Sequence, residues 1–377
     1  MSRIKNLISM TGADTFGTII SAAFWFILAG LMLPEEYGEI QYFLGIAGIA
    51  YGISLIGTSQ TMSVFVAKKI QLEKTIIILA LIIASISAIV IGFIFFRIDI
   101  GFLVIGYIIN DLSIGYLLGK KLFPKYSKFF LTQKSLTFGL GLIFYFIIGP
   151  EGIIYALALS YIHLVIIIIP ILRKSNLDFS LFKKHYRFTA NNYFINISGL
   201  FRGQVDKIII VPLIGFELLG NYALAIQVYA ILMIASNVFF KYILPHDASD
   251  EKIGNIRYFT MLIAIATAIF GMTLVPELLG IFFPKFIEVG NVIQIISIAV
   301  IPTTITLLYT SRFLGKEKSS VVLIGKILLA ITIISLLIIL APIYGVIGAA
   351  IAFVSASIVN TSFLVVMYHI KNKAKKQ

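Results

Sequence analysis

Apolar runs of about twenty residues, the length a bilayer core demands, recur from one end of the chain to the other. Helices are expected near 9–32, 40–66, 75–96, 100–119, 129–149, 151–172, 189–213, 219–244, 258–275, 291–311, 320–341 and 345–369. Nothing alternates with the period of a barrel strand, and irregular backbone cannot face lipid. The pattern therefore predicts an all-α polytopic membrane protein with about 12 transmembrane helices. The first run follows MSRIKNLISMTGADTFG and continues to Leu33. It is long enough to span and is followed by many similar runs, so it is read as a helix and not as a signal peptide.

The connections test this map. With the N-terminus taken as cytoplasmic, the inner segments are 1–8, 67–74, 120–134, 173–188, 241–257, 312–326 and 370–377. They carry 26 of the chain's 30 Lys and Arg. Outer connections hold only Arg97 and Lys285, and outer turns such as PEEYGEI (34–40) and GPEG (149–152) are short and acidic. A wrong helix count would scramble this alternation, so both termini are expected on the cytoplasmic side of the cell membrane. The remaining two cations, Arg202 and Lys207, fall inside a span.

Composition agrees. The chain is 59% hydrophobic and 12% charged with a mean hydropathy of +1.02, about half the charge of a soluble domain. Its formal charge of +13 is read as topology-setting loop charge, with no nucleic-acid partner expected. There is no cysteine, which excludes disulfides, thiolate metal sites and thiol redox chemistry.

The longest polar connection, RKSNLDFSLFKKHYR (173–187), lies near the middle. Leu177, Phe179, Leu181 and Phe182 within it suggest an amphipathic helix on the inner membrane surface. It divides the chain into an N-lobe (1–172), a linker (173–188) and a C-lobe (189–377), and the two lobes resemble each other. LLGK (117–120) matches FLGK (313–316), and PEGIIYALALS (150–160) matches IYGVIGAAIAF (343–353). EEYGEIQYF (35–43) matches FELLGNYAL (216–224). Both lobes start inside with an even helix count, which makes this a parallel repeat of six-helix lobes.

Enzyme constellations are missing. His163, His185, His246 and His369 are scattered, no carboxylate pair has metal-ligand spacing, and LLGKKLF and FLGKEKSS lack the residues of a phosphate-binding loop. No cofactor is expected, and any pumping must use an ion gradient, the membrane potential or the substrate's own gradient. What remains is polarity within spans, which is expensive in lipid. In the seventh span, Asn192, Asn196, Gly199, Gly203 and Asp206 recur at helical steps and predict one polar face. Arg202 lies four residues before Asp206 and about 20 Å along the helix, near mid-bilayer. The two either neutralise each other inside the bundle or line a water-filled cavity. Lys207, nearer the outer end, could snorkel. The first span has a comparable face in Thr11, Asp14, Thr18, Ser21 and Trp25, and Asp111 follows Asn110 within the fourth. Trp25 is read as an interfacial anchor and His163 as a hydrogen-bonded packing residue.

Four stretches carry a resemblance: LMLPEEYGEIQYF (31–43), RGQVDKIIIVPLIGFELLGNYALAIQV (202–228), PELLGIFFPKFIEVGNVIQIISI (276–298) and PIYGVIGAAIAFVSA (342–356). With these in order, the chain resembles the lipid-linked oligosaccharide flippases (Wzx-type) of the polysaccharide-biosynthesis membrane protein family. These are MATE-like members of the multidrug and oligosaccharidyl-lipid exporter superfamily. The resemblance implies two lobes forming a V around a central cavity, and transport of polyprenyl-pyrophosphate-linked oligosaccharide to the outer leaflet. On that reading Arg202 meets the diphosphate, Lys207 adds field strength, and Asn192 and Asn196 bind sugar hydroxyls. Asp206 holds Arg202 when the site is empty, and Asp14, with Asp111 as a further cavity residue, is the candidate for coupling to H+ or Na+. Glycosyltransferases and a polymerase of the same pathway are the implied protein partners. A multidrug or organic-cation exporter of the same superfamily is the nearest alternative. A membrane glycan polymerase or ligase is disfavoured by outer loops that reach only about fifteen residues (276–290).

Overall fold

The computed structural model describes residues 2–174, 176–200, 203–249, 254–316 and 318–373. The elements are α1 (Ser2–Leu31), α2 (Pro34–Ser54), α3 (Ser59–Ala67), α4 (Glu73–Phe95), α5 (Ile98–Gly119), α6 (Phe123–Ile148), α7 (Gly152–Leu159), α8 (Val165–Lys174) and α9 (Phe179–Leu200). They continue as α10 (Val205–Leu232), α11 (Ile234–Ala248), α12 (Ile256–Phe282), α13 (Val289–Ile298), α14 (Val300–Gly315) and α15 (Ser319–Lys373). No strand occurs among the described residues. Ten helical segments among them are long and apolar enough to cross a membrane, and one of these, Ser319–Ile370, holds the last two expected spans. The chain is an all-helical, multi-pass membrane protein.

Five expected spans are built from more than one helical piece. The second is split into α2 and α3, the sixth into α7, a 3-10 turn at Ile162–Leu164 and α8, and the tenth into α13 and α14. The seventh is split into α9 and the start of α10, and the eighth runs from the rest of α10 into α11. Conversely, α10 and α15 each run through an expected outer turn. The chain bends there at Gly215 (φ 86°) and Gly345 (φ 57°), in a left-handed region costly for any residue with a Cβ.

The linker differs from expectation. Its second half is the start of α9, which continues without interruption into the seventh span. Asp178 starts the helix, its Oδ1 accepting from Leu181 N at 2.7 Å. The Asp178 amide in turn donates to Thr75 Oγ1, and Phe65 meets the rings of His185 and Phe188 at 5.6 Å each. Those contacts order a segment whose composition alone suggested a surface helix.

Two compact units result. Residues 1–31 and 43–200 form unit 1, and residues 32–42 and 201–377 form unit 2. In unit 1, α1 packs along α6 through small residues: a Cβ on Gly141 would collide with the Phe24 ring, and one on Gly17 with the Phe130 ring. The broken sixth span is fastened by a buried cluster in which Gln133 Nε2 donates to Thr137 and Ser160 hydroxyls at 2.8 and 3.2 Å. In unit 2, α10, α13, α14 and α15 enclose a core with Leu219, Tyr222, Ile296 and Leu337 fully buried. Large apolar side chains such as Phe93, Phe146 and Ile281 stand exposed on the outside of the helices, as a lipid-facing surface requires.

Candidate functional site

The polar groups of unit 2 are assembled by a close helix crossing. Glu36 Oε2 accepts from Leu33 N at 2.8 Å and Pro34 occupies the first turn, so α2 starts sharply. Four residues later Gly38 lies directly on α10: a Cβ there would fall 1.9 Å from the Phe216 carbonyl oxygen. The contact is reciprocal, because a Cβ on Gly220 would fall 2.0 Å from the Pro34 carbonyl oxygen. These are the matched glycines of EEYGEIQYF and FELLGNYAL. Only hydrogen side chains allow the two backbones to meet.

One turn beyond Gly38, Gln41 is 3% exposed and its Oε1 accepts from Lys207 Nζ at 2.8 Å. Lys207 lies in the first turn of α10, half-buried. The neighbouring Asp206, 3% exposed, accepts from Tyr222 OH at 3.1 Å and from Lys207 N at 3.0 Å. The Tyr37 ring is fully buried against the side chains of Gln227 and Gln41. Gln204 Oε1 is buried without a hydrogen-bond partner. Such orphaned polar atoms are rare in a folded interior and mark a place where another polar group belongs. The arrangement thus offers an ammonium with unused donors and neutral amides, beside the Asp206 carboxylate that caps the helix start. It can receive an anion carrying hydroxyl groups.

The single polar face expected for the seventh span is corrected. α9 ends at Leu200 and α10 begins at Val205, with Gly203 at φ 97° between them. An α-helix cannot pass through that backbone conformation, so the helical steps from Asn196 to Asp206 do not hold. Arg202, and with it the expected Arg202–Asp206 pair, lies outside the described residues. Asn192 and Asn196 belong to unit 1. Asn192 Nδ2 donates to its own helix at Phe188 O, whereas Asn196 Nδ2 is buried without a partner.

The acidic candidates both lie in unit 1, at separate places. Asp14 accepts from Tyr126 OH of α6 at 2.6 Å. Asp111 accepts from Ser59 N at 2.6 Å and from the Tyr51 hydroxyl. Tyr51, Tyr107 and Tyr161 form an edge-to-face series beside it. His163 has both ring nitrogens against backbone carbonyls, Ser160 O at 2.9 Å and Phe129 O at 3.1 Å, and stacks on Phe129. Trp25 is half-buried, edge-on to Phe24.

Sequence reasoning missed Gln41, Tyr222 and Lys134. Gln41 and Tyr222 stand in the two matched segments, next to the glycines that bring them together. Lys134 closes a segment read as an inner connection, but α6 starts at Phe123. It therefore lies about 16 Å along a transmembrane helix, half-buried, over the Phe130 ring and beside Gly17 of α1. Among the described residues no carboxylate pairs with it.

The chain matches no known protein family and no curated protein sequence. Solved structures do match it. A multidrug resistance MATE family transporter of the MOP superfamily, in an inward-facing conformation, aligns with a TM-score of 0.76 at 15% identity, covering 98% of this chain and 99% of its own. The lipid II flippase MurJ in an inward closed conformation aligns with a TM-score of 0.79 at 14% identity, covering 96% and 87%. A MOP superfamily transporter from Pyrococcus furiosus, noted for the reverse polarity of its binding pocket, aligns at 0.57 with 16% identity over 99% and 95%. The fold is that of the MOP-superfamily transporters, shared by drug exporters and a lipid flippase alike.

Proposed function

We propose that this protein is a transporter, not an enzyme, and that it moves polyprenyl-pyrophosphate-linked oligosaccharide from the cytoplasmic to the outer leaflet of the cell membrane. The observation that carries this reading is the ammonium of Lys207. It is held in an apolar helix bundle by the neutral oxygen of Gln41, and its remaining donors suit a phosphate. Lys134 supplies a second half-buried cation in unit 1, and Arg202 a third by sequence. Asn192 and Asn196 are the proposed sugar contacts, with Asp206 positioning the cationic groups. Asp14 is the proposed point of coupling to H+ or Na+, and Asp111 a secondary cavity residue. The proposed organisation is two six-helix lobes joined at 173–188, with both termini cytoplasmic. Pathway glycosyltransferases and a polymerase are the proposed partners.

The test assigns lipid-linked oligosaccharide to a leaflet in cells carrying Lys207→Gln or Arg202→Ala. Losing one charge-assisted contact worth about 2 kcal/mol should slow outward movement about thirtyfold. Movement unchanged in both variants would overturn the site. Movement unchanged on deleting the protein would overturn the function.

A further inference from the structure

One end of unit 1 holds a cavity of about 710 Å³ that the transport reading does not use. It forms because α3 and α5 end side by side. A Cβ on Gly119 would fall 2.7 Å from Ser63 O, and one on Gly115 2.6 Å from Ser59 O, so the two helices lie in backbone contact. Their ends place Lys69 and Lys120 on the cavity, and Lys125 in the first turn of α6 joins them. Tyr116 lies under Lys120, with the ammonium 5.6 Å from the ring centre. Glu73, 8% exposed, contributes the only acidic group of the lining, so the cavity is net positive. Among the described residues no carboxylate forms an ion pair with any of these three lysines.

The matching end of unit 2 holds two of its cations internally. Arg257 donates to Asp247, which also accepts from Ser311 Oγ at 2.6 Å, and Arg312 lies over the Tyr309 and Tyr368 rings. In unit 1, among the described residues, Lys120 has a ring beneath it but no carboxylate pairs with Lys69, Lys120 or Lys125. The opposite wall of its cavity is apolar, built by α8 through Ile166 and Pro170. That wall continues as an exposed stripe, with Ile162 at 63%, Ile166 at 68% and Ile169 at 41% exposure. A soluble anion would gain nothing from such a stripe, whereas an acyl chain would cover it.

We propose that this cavity binds the phosphate of an anionic phospholipid, with Lys69, Lys120 and Lys125 around the headgroup and an acyl chain along Ile162, Ile166 and Ile169. Glu73 and Asn176 face the rest of the headgroup and accept from its hydroxyl groups. The site is distinct from Lys207, and a transport defect there would leave it intact.

The test is native mass spectrometry of the full chain released from vesicles of equal phosphatidylglycerol and phosphatidylcholine. The protein should retain phosphatidylglycerol preferentially. K69Q/K120Q/K125Q should lose about fivefold of that preference per lysine, roughly a hundredfold in all. K68Q/K128Q removes two exposed lysines of the same connections that do not line the cavity, and should keep the preference. Equal retention of both lipids by the unmodified chain would overturn the proposal, as would equal loss in the two variants. Displacement of the lipid by millimolar inorganic phosphate would assign the cavity to a soluble anion and overturn the lipid reading.

Discussion

The two units build the same helix pair in different ways. In unit 1 the second span stops at Ser54 and restarts at Ser59, a gap of four residues. A new helix start exposes N–H groups with no partner in their own helix. Thr58 Oγ1 accepts one of them, from Thr61, and Asp111 reaches across from α5 to take Ser59 N and the Tyr51 hydroxyl. In unit 2 the matching span pauses only at Met233, in a right-handed conformation, and Asn237 N still bonds Met233 O at 3.0 Å. The register of LLGK on FLGK puts Leu307 where Asp111 stands, and the helices are joined by hydroxyl pairs, Tyr229 to Thr303 and Ser236 with Thr304, each at 2.8 Å. A carboxylate inside a membrane helix can therefore answer a surplus of backbone donors and need not mark transport chemistry.

This contrast can be broken by mutation. Asp111→Ala should have the largest effect, destabilising the protein by about 3 kcal/mol because two buried donors are left unmet. Asp111→Asn keeps an acceptor and should cost about 1 kcal/mol. Denaturant unfolding in detergent measures both, and equal losses would contradict the capping role. In unit 2, Thr303→Val should cost about 1 kcal/mol, and adding Tyr229→Phe should cost little more because the two share one bond. Fully additive losses would show that the hydroxyls act separately. Ser236→Ala should be mildest, about 0.5 kcal/mol, since Thr304 retains its bond to Val300 O.

The spans were legible in the sequence because bilayer thickness fixes their length. The breaks within them were not. Hydropathy is the same on both sides of residues 55–58, and what stabilises that break is Asp111, more than fifty residues away. The break at Gly203 is equally silent, since glycine also occurs within membrane helices, and it removed the polar face drawn from Asn196 to Asp206. Lys207 and Asp206 were readable as charges out of place. Their partners were not, because Gln41 is neutral and reaches Lys207 only through the crossing of Gly38 on Gly220. Lys134 was hidden by a helix that begins six residues before the apolar run does.

The glycine crossing also fixes where the gene can be divided. Residues 32–42 pack within unit 2, although they precede most of unit 1 in the chain. A cut at the central linker would seem to release two matched halves. It would instead leave the second half without the strip that covers Gly220 and supplies Gln41, and the first half with that strip unmatched. Neither half would be a self-sufficient product, so the repeat visible in the sequence is not a pair of separable modules.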